Sequence, residues 1–226
     1  MSVLTLYHGS SEVVEKPAFG KGRKDNDYGQ GFYCTEHIDM AREWAVDRDR
    51  DGYVNTYELN ASDFNVLVLN SPDYCILHWI TVLLKNRKFD LESPLSREAY
   101  RYLCENYSID FDNVDMVIGY RADDSYFSYA RDFIDGIISV SQLSSAMRLG
   151  ELGEQVFIRS KRAFNGLRYL SNEFVRADEW YSRKADRDTK ARNAYRNLNK
   201  QAYIPGDLYM VRIIDEEVKA DDPRLQ

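Results

Sequence analysis

The sequence has few cysteines and no pattern that would join them. Its three cysteines, Cys34, Cys75 and Cys104, are odd in number and widely spaced. This spacing excludes a disulfide framework and makes a reducing cytoplasm the expected location. Cys34 and His37 supply half of a zinc site, but no second pair of ligands completes it. We therefore expect no metal in this protein.

A long apolar run is also missing. The longest one, at residues 76–84, is interrupted by His78 and Thr81 and is too short to span a bilayer. The first residues show no basic-then-apolar signal. We therefore expect a chain that does not enter a membrane. The net charge of −7 is a separate observation, and it argues against nucleic-acid binding through overall charge.

The composition supports a folded domain with an appendage. The 226 residues are 44% hydrophobic, enough for a substantial core. Residues 176–200 carry eight Lys and Arg against four Asp and Glu in a helical pattern. We predict one domain at residues 1–175 and a helical extension at 176–226 that packs on it. The basic helix is either a solvated face or a face for a substrate or partner.

Short strand-like runs alternate with helical patterns along the chain. Six strands are predicted, at residues 4–8, 31–35, 53–59, 65–69, 114–119 and 155–159. The runs at 53–59 and 65–69 are expected to pair with each other. The pattern predicts an α+β fold in which two small, mostly antiparallel sheets form a cleft with helical insertions around it.

Capping residues mark where the predicted helices begin. Thr35 precedes a helix at residues 36–49. Ser71, which is followed by proline, is expected to begin one further helix, and either Ser93, also followed by proline, or Ser96 is expected to begin another. A last amphipathic helix is predicted at residues 207–218.

The first candidate motif ends a strand on a histidine. Leu4 and Leu6 alternate with Thr and Tyr, as a half-buried strand requires. His8 is followed by Gly9 and Ser10, so a ring nitrogen, an approachable backbone and a hydroxyl stand together. Such a histidine is either a hydrogen-bonded structural residue or a group that binds a sugar or an amide.

A second motif, DYGQGFYCT at Asp27–Thr35, places two glycines before another aromatic strand. Together the two motifs resemble ADP-ribosyltransferases of the His-Tyr-Glu type. A bacterial family of uncharacterised proteins assigned to that superfamily shows YHGS, DFGxGFYxT, ADD and Q in this order. The chain is similar to it at Tyr7–Ser10, Asp27–Thr35, Ala122–Asp124 and Gln155. The resemblance covers about residues 4 to 170.

The resemblance implies how NAD would bind. His8 would hold a ribose with help from Gly9 and Ser10, and Tyr33 would stack on nicotinamide. The full set of implied NAD-binding residues is His8, Gly9, Ser10, Gly31, Phe32, Tyr33, Asp123 and Asp124. The two aspartates follow a predicted strand, where they either line the rim of the ligand or cap the next helix.

The last implied motif departs from the superfamily. The superfamily's acid stands at the start of a late strand, where this chain has Gln155 preceded by Glu154. Neighbouring strand residues face opposite ways, so these two cannot simply exchange roles. The expected catalytic residues are Gln155, Glu154, His8 and Tyr33. Glu154, Asp123 or Asp124 is expected to supply the missing charge, and Gln155→Glu is expected to preserve or raise turnover.

The resemblance implies an enzyme that transfers ADP-ribose from NAD, its co-substrate, to a protein or nucleic acid. Such domains are similar to bacterial toxins of toxin–antitoxin and phage-defence loci, so an antitoxin or another partner protein is implied. An NAD glycohydrolase, with water as acceptor, is one alternative. Others are a module that binds NAD or ADP-ribose without turnover, as Gln155 suggests, and a scaffold that acts through the basic helix at residues 176–200.

Overall fold

Two small β-sheets form the frame of the fold. The computed structural model describes residues 3–122, 124–147, 153–199 and 203–225. The strands are β1 (Val3–Ser10), β2 (Phe32–Cys34), β3 (Gly52–Asn60), β4 (Val66–Val68), β5 (Met116–Tyr120), β6 (Glu154–Ile158) and β7 (Arg168–Val175). The first sheet is antiparallel, in the order β1-β3-β7. The second has the order β2-β6-β5-β4, with β4 parallel to β5 and the other pairs antiparallel.

Helices pack around both sheets. In the described part of the chain they are α1 (Ile38–Ala45), α2 (Ile76–Asn86), α3 (Pro94–Asn106), α4 (Asp124–Ile134), α5 (Val140–Ala146), α6 (Lys161–Gly166), α7 (Ala177–Asn199) and α8 (Met210–Asp215). The prediction of an α+β fold with two small sheets is confirmed, one sheet being antiparallel and the other mixed.

A backbone bridge joins the two sheets at one point. The amide of Tyr7 donates to the carbonyl oxygen of Thr35 at 2.8 Å, and the amide of Thr35 donates to that of Tyr7 at 2.9 Å. This bridge holds the end of β2 beside β1. The residues next to it, His8 on one strand and Tyr33 on the other, are thereby brought together. The predicted end of the first strand at His8 was wrong, because β1 stays paired with β3 through Ser10.

The strands β5 and β6 separate two hydrophobic cores. Val117 and Phe157 face a large core formed with the helices. Ile118 and Ile158 face a smaller core shared with the first sheet. Because both faces of β5 are buried, this strand needs apolar residues at successive positions, which explains the apolar run at 116–118.

The predicted start of the helix after Ser71 was wrong. Ser71 instead accepts a turn hydrogen bond from the amide of Tyr74 at 3.2 Å, and α2 begins at Ile76. Its cap is Cys75, whose amide donates to Nδ1 of His78 at 3.1 Å. Cys75 and His78 form a capping box, which takes the place of the usual serine or aspartate cap. The Ser93 cap is confirmed, since its Oγ accepts from a backbone amide in the first turn of α3.

The predicted helix at residues 36–49 was too long, because α1 ends at Ala45, followed by an extended Val46. Thr35 does not cap it, since its backbone forms the bridge between the sheets. The Thr35 hydroxyl instead accepts from the amide of His37 at 3.1 Å, and His37 is the residue that precedes the helix.

The predicted pairing of residues 53–59 with 65–69 was also wrong. β3 is the central strand of the first sheet, with β1 on one side and β7 on the other. No edge of β3 is left for β4, which crosses to the second sheet and pairs with β5.

The helix predicted at residues 207–218 was too long, because the structure contains only α8 there. The Asp207 carboxylate instead accepts from the hydroxyl of Ser139, the cap of α5, at 2.6 Å.

The long helix α7 packs on the rest of the molecule through a narrow apolar stripe. Trp180 and Tyr195 are buried, and the Tyr195 ring stacks on Tyr129 of α4 with centroids 3.7 Å apart. The Arg42 guanidinium of α1 lies over the Trp180 ring at 5.1 Å. A boundary between two domains at residues 175 and 176 stays a prediction. Within the described residues, no helix combines the length and apolar character that crossing a bilayer requires.

Candidate functional site

A cavity of about 850 Å³ lies where β1 and β2 come together. His8 lines it from β1, Tyr33 from β2 and Gln155 from β6. The loop between β1 and β2 forms part of its wall, and α7 contributes Lys184 and Arg192. The volume lies within the range of pockets that enclose small molecules and cofactors.

One hydrogen bond fixes the tautomer of His8 at this cavity. Its Nδ1 lies 2.7 Å from the carbonyl oxygen of Tyr33. A carbonyl can only accept, so Nδ1 carries the proton and Nε2 of the neutral ring is an acceptor. Burial lowers the pKa of His8 below its usual value of 6.5, which favours the neutral ring. The Phe32 ring packs against the imidazole with centroids 4.3 Å apart.

Tyr33 presents its ring and not its hydroxyl. The hydroxyl donates to the carbonyl oxygen of Gly29 at 2.6 Å and accepts from the amide of Tyr28 at 3.1 Å. Burial raises the pKa of this phenol well above its usual range, so it stays protonated. The ring packs on Phe157 with centroids 4.9 Å apart. Because its hydroxyl is hydrogen-bonded and its ring packs on Phe157, Tyr33 forms a rigid apolar surface at the cavity.

Gln155 is buried and hydrogen-bonded to a carboxylate. Its Nε2 donates to Oδ2 of Asp27 at 3.0 Å and to the carbonyl oxygen of Tyr120 at 3.1 Å. Asp27 Oδ2 also accepts from the amide of Ala122 at 2.8 Å. Asp27 is 5% exposed and Gln155 is 3% exposed. Both line the cavity, whose wall therefore holds a hydrogen-bonded amide and carboxylate.

The pKa of Asp27 is raised above its usual value, although several neighbours oppose the rise. Burial raises the pKa of this carboxyl, whereas the hydrogen bonds from Ala122 and Gln155 and the nearby Arg87 lower it. Arg87 Nη1 lies 3.5 Å from Oδ1, close enough for an ion pair. Within the described residues Oδ1 is buried and accepts no hydrogen bond. One oxygen of Asp27 is therefore saturated and the other is not.

Three of the predicted site residues do not line the cavity. Glu154 is exposed, and its Oε1 accepts from Nδ2 of Asn70 at 2.7 Å. Ser10 donates to the carbonyl oxygen of Glu12 at 2.6 Å. Gly9 faces α1, where a Cβ atom would stand 2.0 Å from the carbonyl oxygen of Ala41. Close packing of a helix, not of a ligand, accounts for glycine at this position.

Of the two adjacent aspartates predicted at the site, Asp123 lies outside the described residues and Asp124 is the first residue of α4. Their neighbour Ala122 does line the cavity, and its amide binds Asp27. Gly31 and Phe32 line the cavity as well.

A buried asparagine fixes the loop that follows β1. Asn55 lies in the central strand β3 and is fully buried. Its Oδ1 accepts from the amide of Val14 at 2.8 Å, and its Nδ2 donates to the Ser10 hydroxyl at 3.0 Å. Farther along, Nε2 of Gln30 donates to the carbonyl oxygen of Gly20 at 2.7 Å. These bonds hold the loop as a formed wall of the cavity.

The cavity lining carries more positive than negative charge. Its basic side chains are Lys16, Lys21, Arg87, Arg121, Lys184 and Arg192, and its acidic ones are Glu12, Glu15, Asp27 and Asp188. The chain as a whole has a net charge of −7, so this surplus is local. Arg121 stacks over the Trp44 ring at 4.7 Å, which presents the cation beside an aromatic face. An anionic ligand with a flat ring fits such a lining.

Sequence reasoning missed several residues of this site. Asp27 stood inside the quoted motif, yet nothing local marked its carboxylate as the partner of Gln155. Arg87 and Trp44 carried no signal at all. The basic helix was recognised as one candidate face, and α7 brings Lys184 and Arg192 to the cavity. Within the described residues, no group of His, Cys, Asp and Glu side chains is arranged to hold a metal ion.

A known family model covers most of the chain. The model described as "Protein of unknown function (DUF3990)" matches residues 4–169. This chain therefore belongs to the DUF3990 family. The matched segment contains His8, Asp27, Tyr33 and Gln155 but ends before α7. No curated protein and no solved structure matched the chain.

Proposed function

We propose that the protein is an NAD-dependent ADP-ribosyltransferase. The observation that carries the proposal is the pairing of His8 and Tyr33 at one cavity. A hydrogen bond from Nδ1 of His8 to the carbonyl oxygen of Tyr33 fixes an imidazole acceptor beside a rigid aromatic ring. This pairing suits a ribose hydroxyl next to a nicotinamide ring. It supports the resemblance to the His-Tyr-Glu type, which rested on sequence motifs.

The reaction needs little covalent chemistry from the protein. The bond between C1′ of the ribose and the nicotinamide nitrogen breaks, and both electrons go to that nitrogen, which becomes neutral. A nucleophilic oxygen or nitrogen of the acceptor forms the new bond to C1′ and releases a proton. The transition state resembles an oxocarbenium ion, so positioning and charge stabilisation are the protein's main tasks.

The described residues divide these tasks between them. Nε2 of His8 would accept a hydrogen bond from a ribose hydroxyl, and the ring of Tyr33 would stack on nicotinamide. The cations of the lining would bind the pyrophosphate, since Lys and Arg pair with phosphate oxygens. Gln155 would hydrogen-bond the nicotinamide ribose at the position of the superfamily's acid.

A single incubation tests the proposal. The purified protein is mixed with NAD labelled in the ADP-ribose part and with a cell extract, and nicotinamide, free ADP-ribose and labelled macromolecules are separated. Labelled protein or nucleic acid, with nicotinamide released in equal amount, is the expected result. The absence of NAD binding by calorimetry, together with the absence of nicotinamide release, would contradict the proposal.

A module that binds NAD without turnover is the second candidate. Its supporting observation is that the acid's position holds an amide, with no carboxylate in its place. The same incubation separates the candidates. A binding module retains NAD and releases no nicotinamide, whereas a glycohydrolase releases nicotinamide and free ADP-ribose in equal amounts without labelling macromolecules.

Affinity for NAD should fall in acid and stay constant above about pH 6.5. Burial lowers the pKa of His8 below 6.5, so the neutral ring predominates at and above that pH. As the pH falls through the lowered pKa, Nε2 takes a proton and stops being an acceptor. Calorimetric titration with NAD from pH 8 to pH 5 measures this. Burial also raises the pKa of Asp27, so this carboxyl takes up a proton in acid as well. The same titration of His8→Asn measures the loss of affinity that does not depend on the histidine. A marked loss of affinity between pH 8 and 7 would contradict the assignment.

Lys184→Gln and Arg192→Gln should each weaken NAD binding by about threefold to tenfold, the scale of one partly exposed charged hydrogen bond. Both side chains line the cavity from α7. The losses should shrink in high salt. Lys190→Gln is the matched control, because Lys190 is exposed on the same helix and lines a different cavity. Nicotinamide riboside, which lacks the pyrophosphate, should bind all variants alike. Equal losses for that ligand would show that the two cations do not act on phosphate.

A further inference from the structure

The resemblance to ADP-ribosyltransferases implies a negatively charged side chain at the start of β6. Gln155 occupies the position, and an amide carries no charge. Glu154 is exposed and bonded to Asn70, outside the cavity lining. Among the described carboxylates that line the cavity, only Asp27 is hydrogen-bonded to Gln155, and it is buried.

We propose that Asp27 supplies, through Gln155, the negative charge that stabilises the oxocarbenium-like transition state. The inference rests on the NAD reaction proposed above. Gln155 is the catalytic residue in this scheme, because its amide oxygen would accept from the ribose hydroxyl. Asp27 is a positioning residue that acts on that amide without touching the substrate.

Hydrogen-bond geometry supports this division of roles. The Gln155 amide nitrogen donates to Asp27 at 3.0 Å and to Tyr120 at 3.1 Å, which fixes the orientation of the amide. An amide whose N–H groups bind a carboxylate is polarised, so its oxygen gains negative charge. Because both side chains are buried, water screens this effect little.

Two neighbours of Asp27 favour its ionised form and so oppose the rise in pKa that burial causes. The amide of Ala122 donates to the same oxygen as Gln155, at 2.8 Å. Arg87 stands beside the other oxygen, at 3.5 Å. The cation is thus on the side of the carboxylate away from the amide. No part of this arrangement requires Asp27 to take up or release a proton during the reaction.

A reciprocal exchange of the two side chains tests the inference. Nicotinamide release is measured for the wild type, Asp27→Asn, Gln155→Glu and the double variant that carries both substitutions. Asp27→Asn is isosteric and keeps an oxygen to accept from Ala122. We expect kcat to fall by about tenfold to a hundredfold, with KM for NAD within about threefold, because the charge acts in the transition state.

The single Gln155→Glu variant should also lose turnover, in contrast to the expectation from sequence alone. It would place two carboxylates about 3.0 Å apart, the distance that now separates Gln155 Nε2 from Asp27 Oδ2, and like charges there favour uptake of a proton. The double variant restores one carboxylate and one amide with their places exchanged. Its kcat should recover to within about tenfold of the wild type and exceed that of either single variant.

The outcomes separate the inference from the proposed function. A wild type that releases no nicotinamide overturns both. Turnover in the wild type with an unchanged kcat in Asp27→Asn overturns the inference alone. A double variant whose kcat does not exceed that of the more active single variant also overturns it, because a merely structural Asp27 gives no rescue of kcat. Thermal unfolding of all four proteins checks that the kinetic losses do not follow the losses of stability.

Discussion

Gly9→Ala should destabilise the protein by about 3 kcal/mol or more, the upper range for forcing an atom into a filled site. A Cβ at this position would stand 2.0 Å from the carbonyl oxygen of Ala41, 2.7 Å from the amide nitrogen of Ala45 and 2.9 Å from Cβ of Trp44. Two of these atoms belong to the backbone of α1, which cannot give way without moving the helix. Urea denaturation measures the loss.

Gly166→Ala is the matched control for this substitution. The new Cβ would meet side-chain atoms of Leu59 and Phe64, each at 3.1 Å, and such atoms can shift. The stability of this variant should stay within about 1 kcal/mol of the wild type. If Gly9→Ala instead kept full stability and lost only NAD affinity, then the glycine would serve ligand approach, as the sequence motif first indicated.

His8→Asn should weaken NAD binding by about tenfold to a hundredfold, the cost of a lost hydrogen bond in a buried site. The asparagine amide can still donate to the carbonyl oxygen of Tyr33, so the link between the strands is kept. What the variant lacks is the acceptor that Nε2 provides. Calorimetric titration with NAD, beside a denaturant curve, separates the two contributions.

His8→Ala is the companion variant, because it removes both the acceptor and the bond to Tyr33. It should bind NAD as weakly as His8→Asn and should be less stable by about 1 kcal/mol. Unchanged NAD affinity in His8→Asn, with a loss of stability in His8→Ala alone, would assign His8 a structural role. The binding site would then have to lie elsewhere in the cavity.

Local sequence patterns predicted what depends on local structure. The strands β1 and β2, with His8 and Tyr33, followed from short motifs that combine strand alternation with glycine, although β1 does not end at His8. The Ser93 cap followed from the ordinary chemistry of helix starts. In contrast, α2 begins with a cysteine and a histidine that bind each other, a pair that common capping preferences do not suggest.

Contacts between distant parts of the chain could not be predicted in this way. Asp27 and Gln155 are 128 residues apart, and their pairing exists only because β2 and β6 are neighbours in the second sheet. The pairing of β4 with β5 rather than β3 has the same origin. A single sequence gives the strand at 65–69 its pattern but does not show which edge is free to receive it.

The family match stops within the first sheet, because residue 169 is the second residue of β7. β7 is the outer neighbour of β3 over seven paired positions, Gly52–Glu58. A fragment cut at the boundary of the match would leave most of that side of β3 with open amide and carbonyl groups. Such a row recruits another chain, so the fragment would tend to associate or aggregate. The shortest self-contained form of this fold therefore extends past the matched segment, at least through Val175.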